Sequence, residues 1–363
     1  MTLRGLLWLW SAALAGALLC AVPWAIRHGG GDWQVFAAAG SLAGTPALLH
    51  PPQAWQSFFY LPGAAWALVP FARLPLGDSF ILNAVLMLAC AAAAGFVAAR
   101  TYALPRATAV ALFALWSPVV YAAAVIGQNA PFGLLLAQLS IAGMVRRSVA
   151  LTAIPIGLLL YKPTYAVPLI GLLLVRALRR ELAVVAAIAV GWYVLGVSAT
   201  GGDWNWPAAW FRLVIEFAPG DFDVNAPFAV SAPALLVRAG AGVPFTAGIV
   251  ALFAVTVACA LRRAPAAEAA SAASLAGLAL SPHAWAYDVV LTLPMIAFTA
   301  AALSEPARTR LLLALAIVAP LFFLSPQLRW DPLALVVIGG TAAWLAIRLR
   351  PAGSNEVCAP AVP

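Results

Sequence analysis

The stretch FFYLPGAAWALVPFARL, residues 58–74, decides how the chain is laid out. It is apolar enough to pass for a membrane crossing. Counted as one, it would move every later arginine pair to the other side. Its two prolines, Pro62 and Pro70, and its shortness point instead to a helix lying in or dipping into the outer interface. That segment then sits within a long first outer loop, 27–78.

Working outward, the chain is 64% hydrophobic and 9% charged over 363 residues. Soluble domains carry about 25% charged residues, so a water-facing surface cannot be built here. A lipid-facing surface needs none. Apolar runs fall at 3–26, 79–99, 107–123, 131–145, 149–161, 164–176, 182–198, 244–261, 268–280, 286–303, 309–324 and 331–348. The expectation is an all-α polytopic membrane protein with about twelve spans, within a range of roughly 10–13. Residues 1–350 read as one membrane domain and 351–363 as a disordered cytoplasmic tail. The N-terminal run exceeds a secretory signal's apolar core and reads as a retained first span.

The net charge of +8 does not indicate nucleic acid, because the arginines come in pairs between apolar runs. With a cytoplasmic N-terminus and 58–74 interfacial, 14 of the 20 basic residues lie inside. That bias is the one cytoplasmic loops show, and it places both termini in the cytoplasm. All seven aspartates then fall outside, as do His28, His50 and His283. Room for chemistry lies in the outer loops 27–78 and 199–243, the second reading as an amphipathic surface element. Cys20, Cys90, Cys259 and Cys358 show no disulfide or zinc spacing.

Several outer positions carry candidate chemistry. Asp32 follows His28-Gly29-Gly30-Gly31 just after the first span, where a partly desolvated carboxylate serves as a general base. The competing expectation is an N-cap for the helix beginning WQVFAAAG. Lys162, the single lysine, sits at the helix break Tyr161-Lys162-Pro163, where a cation suits an anionic phosphate or snorkels to headgroups. Gly127-Gln128-Asn129 supplies amides for hydroxyls or phosphate, or is only a turn. Ser281-Pro282-His283-Ala284-Trp285-Ala286-Tyr287-Asp288 offers two titratable groups and two aromatic faces. His283 and Asp288 there form either a functional pair or a helix-start ion pair. Asp221 and Asp223 lack a third metal ligand. No nucleotide-binding or hydrolase motif occurs.

Taken in order, Asp32, Phe59-Tyr60-Leu61-Pro62, Gly127-Gln128-Asn129, Tyr161-Lys162-Pro163 and Ser281-Pro282-His283-Ala284-Trp285 resemble glycosyltransferase family 87 of the GT-C superfamily. That family includes mannosyltransferases using polyprenyl-phosphate-mannose. The resemblance implies a GT-C-like fold and an inverting hexosyltransferase in a bacterial cytoplasmic membrane, acting on its outer face. A lipid or glycan would be the acceptor. It implies Asp32 as catalytic base, Lys162 as counter-charge to the leaving phosphate, and Gln128, Asn129 and His283 as donor-binding groups. Tyr60, Tyr161, Trp285, Tyr287 and Asp288 are accessory candidates, and no metal or other cofactor is expected. Against this stand a transporter or flippase for a lipid-linked glycan and a non-catalytic membrane subunit. The lack of an internal repeat and the one-sided polar groups favour the enzyme.

Overall fold

The computed structural model describes residues 30–53, 56–225, 229–281, 283–328 and 332–349, with scattered positions from 5 to 27. For 217–225, 319–328, 332, 333 and 335 it describes the backbone alone. Most of the expected first span, His28, the 351–363 tail and the side chains of Asp221 and Asp223 therefore lie outside the described residues.

Among the described residues the regular elements are helices, and strand pairing is limited to one isolated bridge between Ala229 and Trp285. In order they are α1 (Trp33–Leu42), α2 (Val69–Ala72), α3 (Leu76–Thr101), α4 (Arg106–Ile126), α5 (Ala130–Val145), α6 (Val149–Leu158) and α7 (Pro163–Val175). There follow α8 (Arg179–Ala199), α9 (Trp206–Asn225), α10 (Ala232–Arg238), α11 (Val243–Arg263), α12 (Ala266–Leu280), α13 (Leu293–Ala302), α14 (Glu305–Leu328) and α15 (Pro332–Arg348). Short 3-10 turns at Pro62–Leu68, Leu159–Tyr161 and Ala286–Thr292 lead into α2, α7 and α13. Most apolar runs from 79 onward become α-helices with bounds within a few residues of the run, while 149–161 and 286–303 are each divided between an α-helix and a 3-10 turn. The 199–243 loop contains α9 and α10.

Residues Pro62–Ala72 rise only about 20 Å as 3-10 and α turns, short of the roughly 30 Å hydrocarbon core. They lie against α1 and α8. A side chain at Gly63 would meet Leu195 Cβ at 2.9 Å, and one at Gly40 would meet the Leu68 carbonyl at 2.6 Å. The rise of this element is close to that of α7, about 20 Å over 13 residues.

Two kinds of helix follow from their surroundings. Helices α3, α4, α8 and α11 are each long and apolar enough to cross a membrane. On α8 and α11, Val190, Val194, Leu252 and Val255 are exposed, a surface suited to lipid. Helices α5 and α12 are short and enclosed. Residues Glu268–Ala279 of α12 are buried throughout, and its run of Ala, Ser and Gly lets neighbours approach closely. A Cβ at Gly277 would collide with Pro168 of α7 at 2.2 Å, and one at Gly143 of α5 with the Thr152 amide at 2.4 Å. Glu268, in the first turn of α12, is buried, paired with Arg348 and accepting a 2.8 Å bond from Trp344 Nε1. That contact pins α15 to α12.

The turn between α4 and α5 fixes what comes next. Gly127 ends α4 with φ +87°, and a Cβ there would sit 2.6 Å from Trp33 Cβ. Alanine at Gly127 should therefore lower stability by at least the roughly 1–2 kcal/mol of a left-handed L-residue. Gly191→Ala, with nothing within 4 Å, should stay within about 1 kcal/mol of wild type. Unfolding midpoints of the two purified variants in detergent make the comparison; equal midpoints would contradict this close-approach account.

Candidate active site

Gly30 and Gly31, both at positive φ, turn the chain sharply before α1. The Asp32 amide then donates to the Ile126 carbonyl at 3.0 Å, tying the start of α1 to the end of α4. Asp32 occupies the N-cap position of α1 but makes no side-chain capping bond. Its half-buried carboxylate instead accepts from Gln128 Nε2, Oδ2 to nitrogen 2.5 Å. Because a carboxylate only accepts, the amide nitrogen must face Asp32, which turns Gln128 Oε1 the other way. There it accepts from the Tyr60 hydroxyl at 3.0 Å. Burial, and then the neighbouring Tyr161, Asp288 and Asp32, hold the Tyr60 phenol well above its ordinary pKa, so it remains a donor.

Tyr60 joins this group to the next one. Its ring stacks on Tyr161, centroids 5.8 Å apart and 7° from parallel, while the Leu61 amide donates to the Tyr161 carbonyl at 3.0 Å. The Tyr161 hydroxyl reaches both the carbonyl and the Oδ1 of Asn129 at 3.3 Å. Asn129 precedes α5 and makes no side-chain capping bond.

Lys162 has extended backbone, as the residue before Pro163 must, and stands at the N-cap of α7. Lys162 is 6% exposed, and its ammonium donates to Asp288 Oδ1 and to the Tyr165 hydroxyl, both at 2.8 Å. Tyr165 also donates to Asp288. The rings of Tyr165, Tyr287 and Tyr60 lie 4.2, 5.2 and 5.7 Å from the ammonium. Such faces favour a cation where water is scarce.

Asp288 is fully buried. Its Oδ2 accepts from the Trp285 amide at 2.9 Å, while its own amide donates to the Trp285 carbonyl at 2.8 Å. The expected His283–Asp288 pairing is replaced. Asp288 is used by Lys162, Tyr165 and Trp285, and His283 Nε2 accepts from Trp285 Nε1 at 2.7 Å. An indole nitrogen can only donate, so that histidine nitrogen carries no proton. The sequence reading also passed over Tyr165. Its three-residue spacing from a helix-start lysine places its hydroxyl over the ammonium, and that spacing was the available signal.

The structure thus brings together Asp32, Tyr60, Gln128, Asn129, Tyr161, Lys162, Tyr287 and Asp288, with His283 and Trp285 attached through the Asp288 turn. Gln128, Tyr161, Lys162, Trp285 and Asp288 are buried, whereas Asp32, Tyr60, Asn129, His283 and Tyr287 reach partly to the surface. The arginine pairs lie elsewhere. Helix α4 runs 21 residues from Arg106 to Ile126, about 32 Å, and α5 and α7 run from this cluster to Arg146 and Arg176 at the far end.

Removing one member of a buried pair leaves the other uncompensated, at a cost of about 3–5 kcal/mol. Lys162→Met should destabilise by that much, and adding Asp288→Asn should restore most of the loss. Chemical unfolding in detergent would report both. A double variant no more stable than Lys162→Met would show that the pair is not the source of the loss.

The model of glycosyltransferase family 87 matches residues 58–282, more than half the chain. The match encloses Tyr60, Gln128, Asn129, Tyr161 and Lys162, and leaves Asp32, His283, Trp285, Tyr287 and Asp288 outside. No curated protein and no solved structure matches. The chain belongs to glycosyltransferase family 87 and is a membrane glycosyltransferase.

Proposed function

We propose that the protein transfers a hexose, mannose foremost, from a polyprenyl-phosphate-sugar to a lipid or glycan acceptor, with inversion at the anomeric carbon. The observation that carries this reading is the contrast between the two carboxylates of the site. Asp288 faces a cation and is sealed from solvent, which suits a structural counter-charge. Asp32 is held by a neutral amide and partly reaches the surface. Its carboxylate is accessible to a hydroxyl, as a general base must be.

In this reading Asp32 takes the proton of the acceptor hydroxyl while that oxygen bonds to the anomeric carbon. The bond from that carbon to the phosphate oxygen breaks, and the electron pair leaves with polyprenyl phosphate. Lys162 supplies the positive charge the departing phosphate requires, so the mechanism calls for no metal. Its charge is already shared with Asp288, so the phosphate gains most from the ammonium as its own charge grows. Gln128 orients the base, and Asn129 and His283 hold the donor's sugar or phosphate. Residues 1–350 act as one membrane domain in a bacterial cytoplasmic membrane. Both termini are cytoplasmic, the Asp32 cluster faces outward, and the far arginines face inward, in line with the charge bias.

Purified protein given labelled polyprenyl-phosphate-mannose and membrane lipids should form a labelled lipid. Asp32→Asn should lower kcat by about 10²–10⁴. An undiminished rate in Asp32→Asn would remove Asp32 as base. Movement of a lipid-linked glycan across vesicles with no transfer from any donor would support transport instead.

A further inference from the structure

At the end of the bundle opposite the Asp32–Lys162 cluster lies a second polar feature. A half-open cavity of about 680 Å³ is enclosed by the ends of α5, α7 and α11 and the starts of α6, α8 and α12. That volume is within the range of small-ligand sites. Arg147, Arg176, Arg262 and Glu181 line it, over an apolar floor that includes Met144, Val175 and Leu178.

The three guanidinium groups are not equivalent. Arg176 donates to the carbonyls of Leu261, at 3.1 Å, and Ala264, and so ties the end of α7 to the turn between α11 and α12. Those carbonyls carry the partial negative charge of a helix C-terminus, which Arg176 offsets. Arg147 and Arg262 are exposed, and among the described residues their side chains have no hydrogen-bond or ion-pair partner. The cavity therefore presents two uncommitted forks of donors, a third cation behind them and one carboxylate. Guanidinium forks match phosphate oxygens in geometry and charge.

We propose that this cavity binds a single phosphate-bearing group, either the headgroup of an anionic lipid or a soluble phosphomonoester. Arg147 and Arg262 grip the phosphate, Glu181 tempers the affinity, and the apolar floor accepts the glycerol or first carbons of the ligand. The site is independent of the transfer chemistry, since no residue of the Asp32–Lys162 cluster contributes to it.

The test uses the full chain in detergent, with phosphatidylglycerol, phosphatidylcholine and glycerol phosphate as probes. Native mass spectrometry counts retained lipid, and thermal shift follows glycerol phosphate. Wild type should retain one phosphatidylglycerol in preference to phosphatidylcholine, or be stabilised by glycerol phosphate; which one occurs identifies the source. Arg147→Gln with Arg262→Gln should weaken that binding by about tenfold or more, from the loss of two charge-assisted contacts. Glu181→Gln should strengthen it, which provides a reading even if the double variant fails to fold. Absence of any preference in wild type, or an unchanged preference in the folded variants, would overturn the proposal. Labelled-sugar transfer, measured in parallel, should not track these changes, so the two readings fail separately.

Discussion

Bringing Lys162 and Asp288 together inside an apolar bundle is the constraint on which the polar end depends. Each charge alone in that setting would cost several kcal/mol, and their pairing with additional hydrogen bonds is what makes burial tolerable. Every donor or acceptor around them is therefore placed by necessity. Tyr165 reaches over from the next turn of α7 and bonds both partners. The Trp285 amide takes the second carboxylate oxygen, which fixes the 3-10 turn leading into α13. A buried pair of this kind adds little net stability compared with apolar packing. What it does is hold a positive charge at a fixed point beneath a surface.

The irregular backbone at this end follows from the same constraint. Non-helical segments at membrane depth survive where protein, not lipid, surrounds them. The turns at Leu159–Tyr161 and Ala286–Thr292 both sit at the cluster, and most of their side chains are buried. Enclosure also explains the short helices. Helix α5, at 16 residues, rises about 24 Å and needs no full-length lipid face, because α3, α6 and α12 pack around it. The long α8 and α11 provide that face instead.

How much was legible in the sequence depended on the range of the interaction involved. Helix positions were, because hydropathy is local: the run 244–261 became Val243–Arg263, and 268–280 became Ala266–Leu280. The short helical segment Pro62–Ala72 was too, since Pro62 opens its 3-10 turn and Pro70 its short α-helix. Lys162 stood out because a lone lysine between apolar runs requires an explanation. Its partner did not. Asp288 is distant in the chain, and local reading matched it with the nearby His283. Nothing local says that Trp285 would claim His283 and leave the aspartate to the lysine. The capping role weighed for Asp32 likewise failed for a non-local reason. The left-handed turn at Gly127 delivers Gln128 to the carboxylate before the helix's own amides can use it.

That delivery bears on why two aspartates so close in space can serve different ends. Asp32 accepts from the neutral amide of Gln128, whereas Asp288 lies 2.8 Å from an ammonium. Environments that differ in this way allow one site to hold carboxylates of different character, as the base proposed at Asp32 requires. The linkage between them runs through Tyr60. Its hydroxyl sets the Gln128 amide and its ring stacks on the residue preceding Lys162. In the proposed mechanism a donor phosphate drawn to Lys162 acts beside this stacked pair. Asp32 and Lys162 are thereby linked through Gln128 and the stacked rings of Tyr60 and Tyr161.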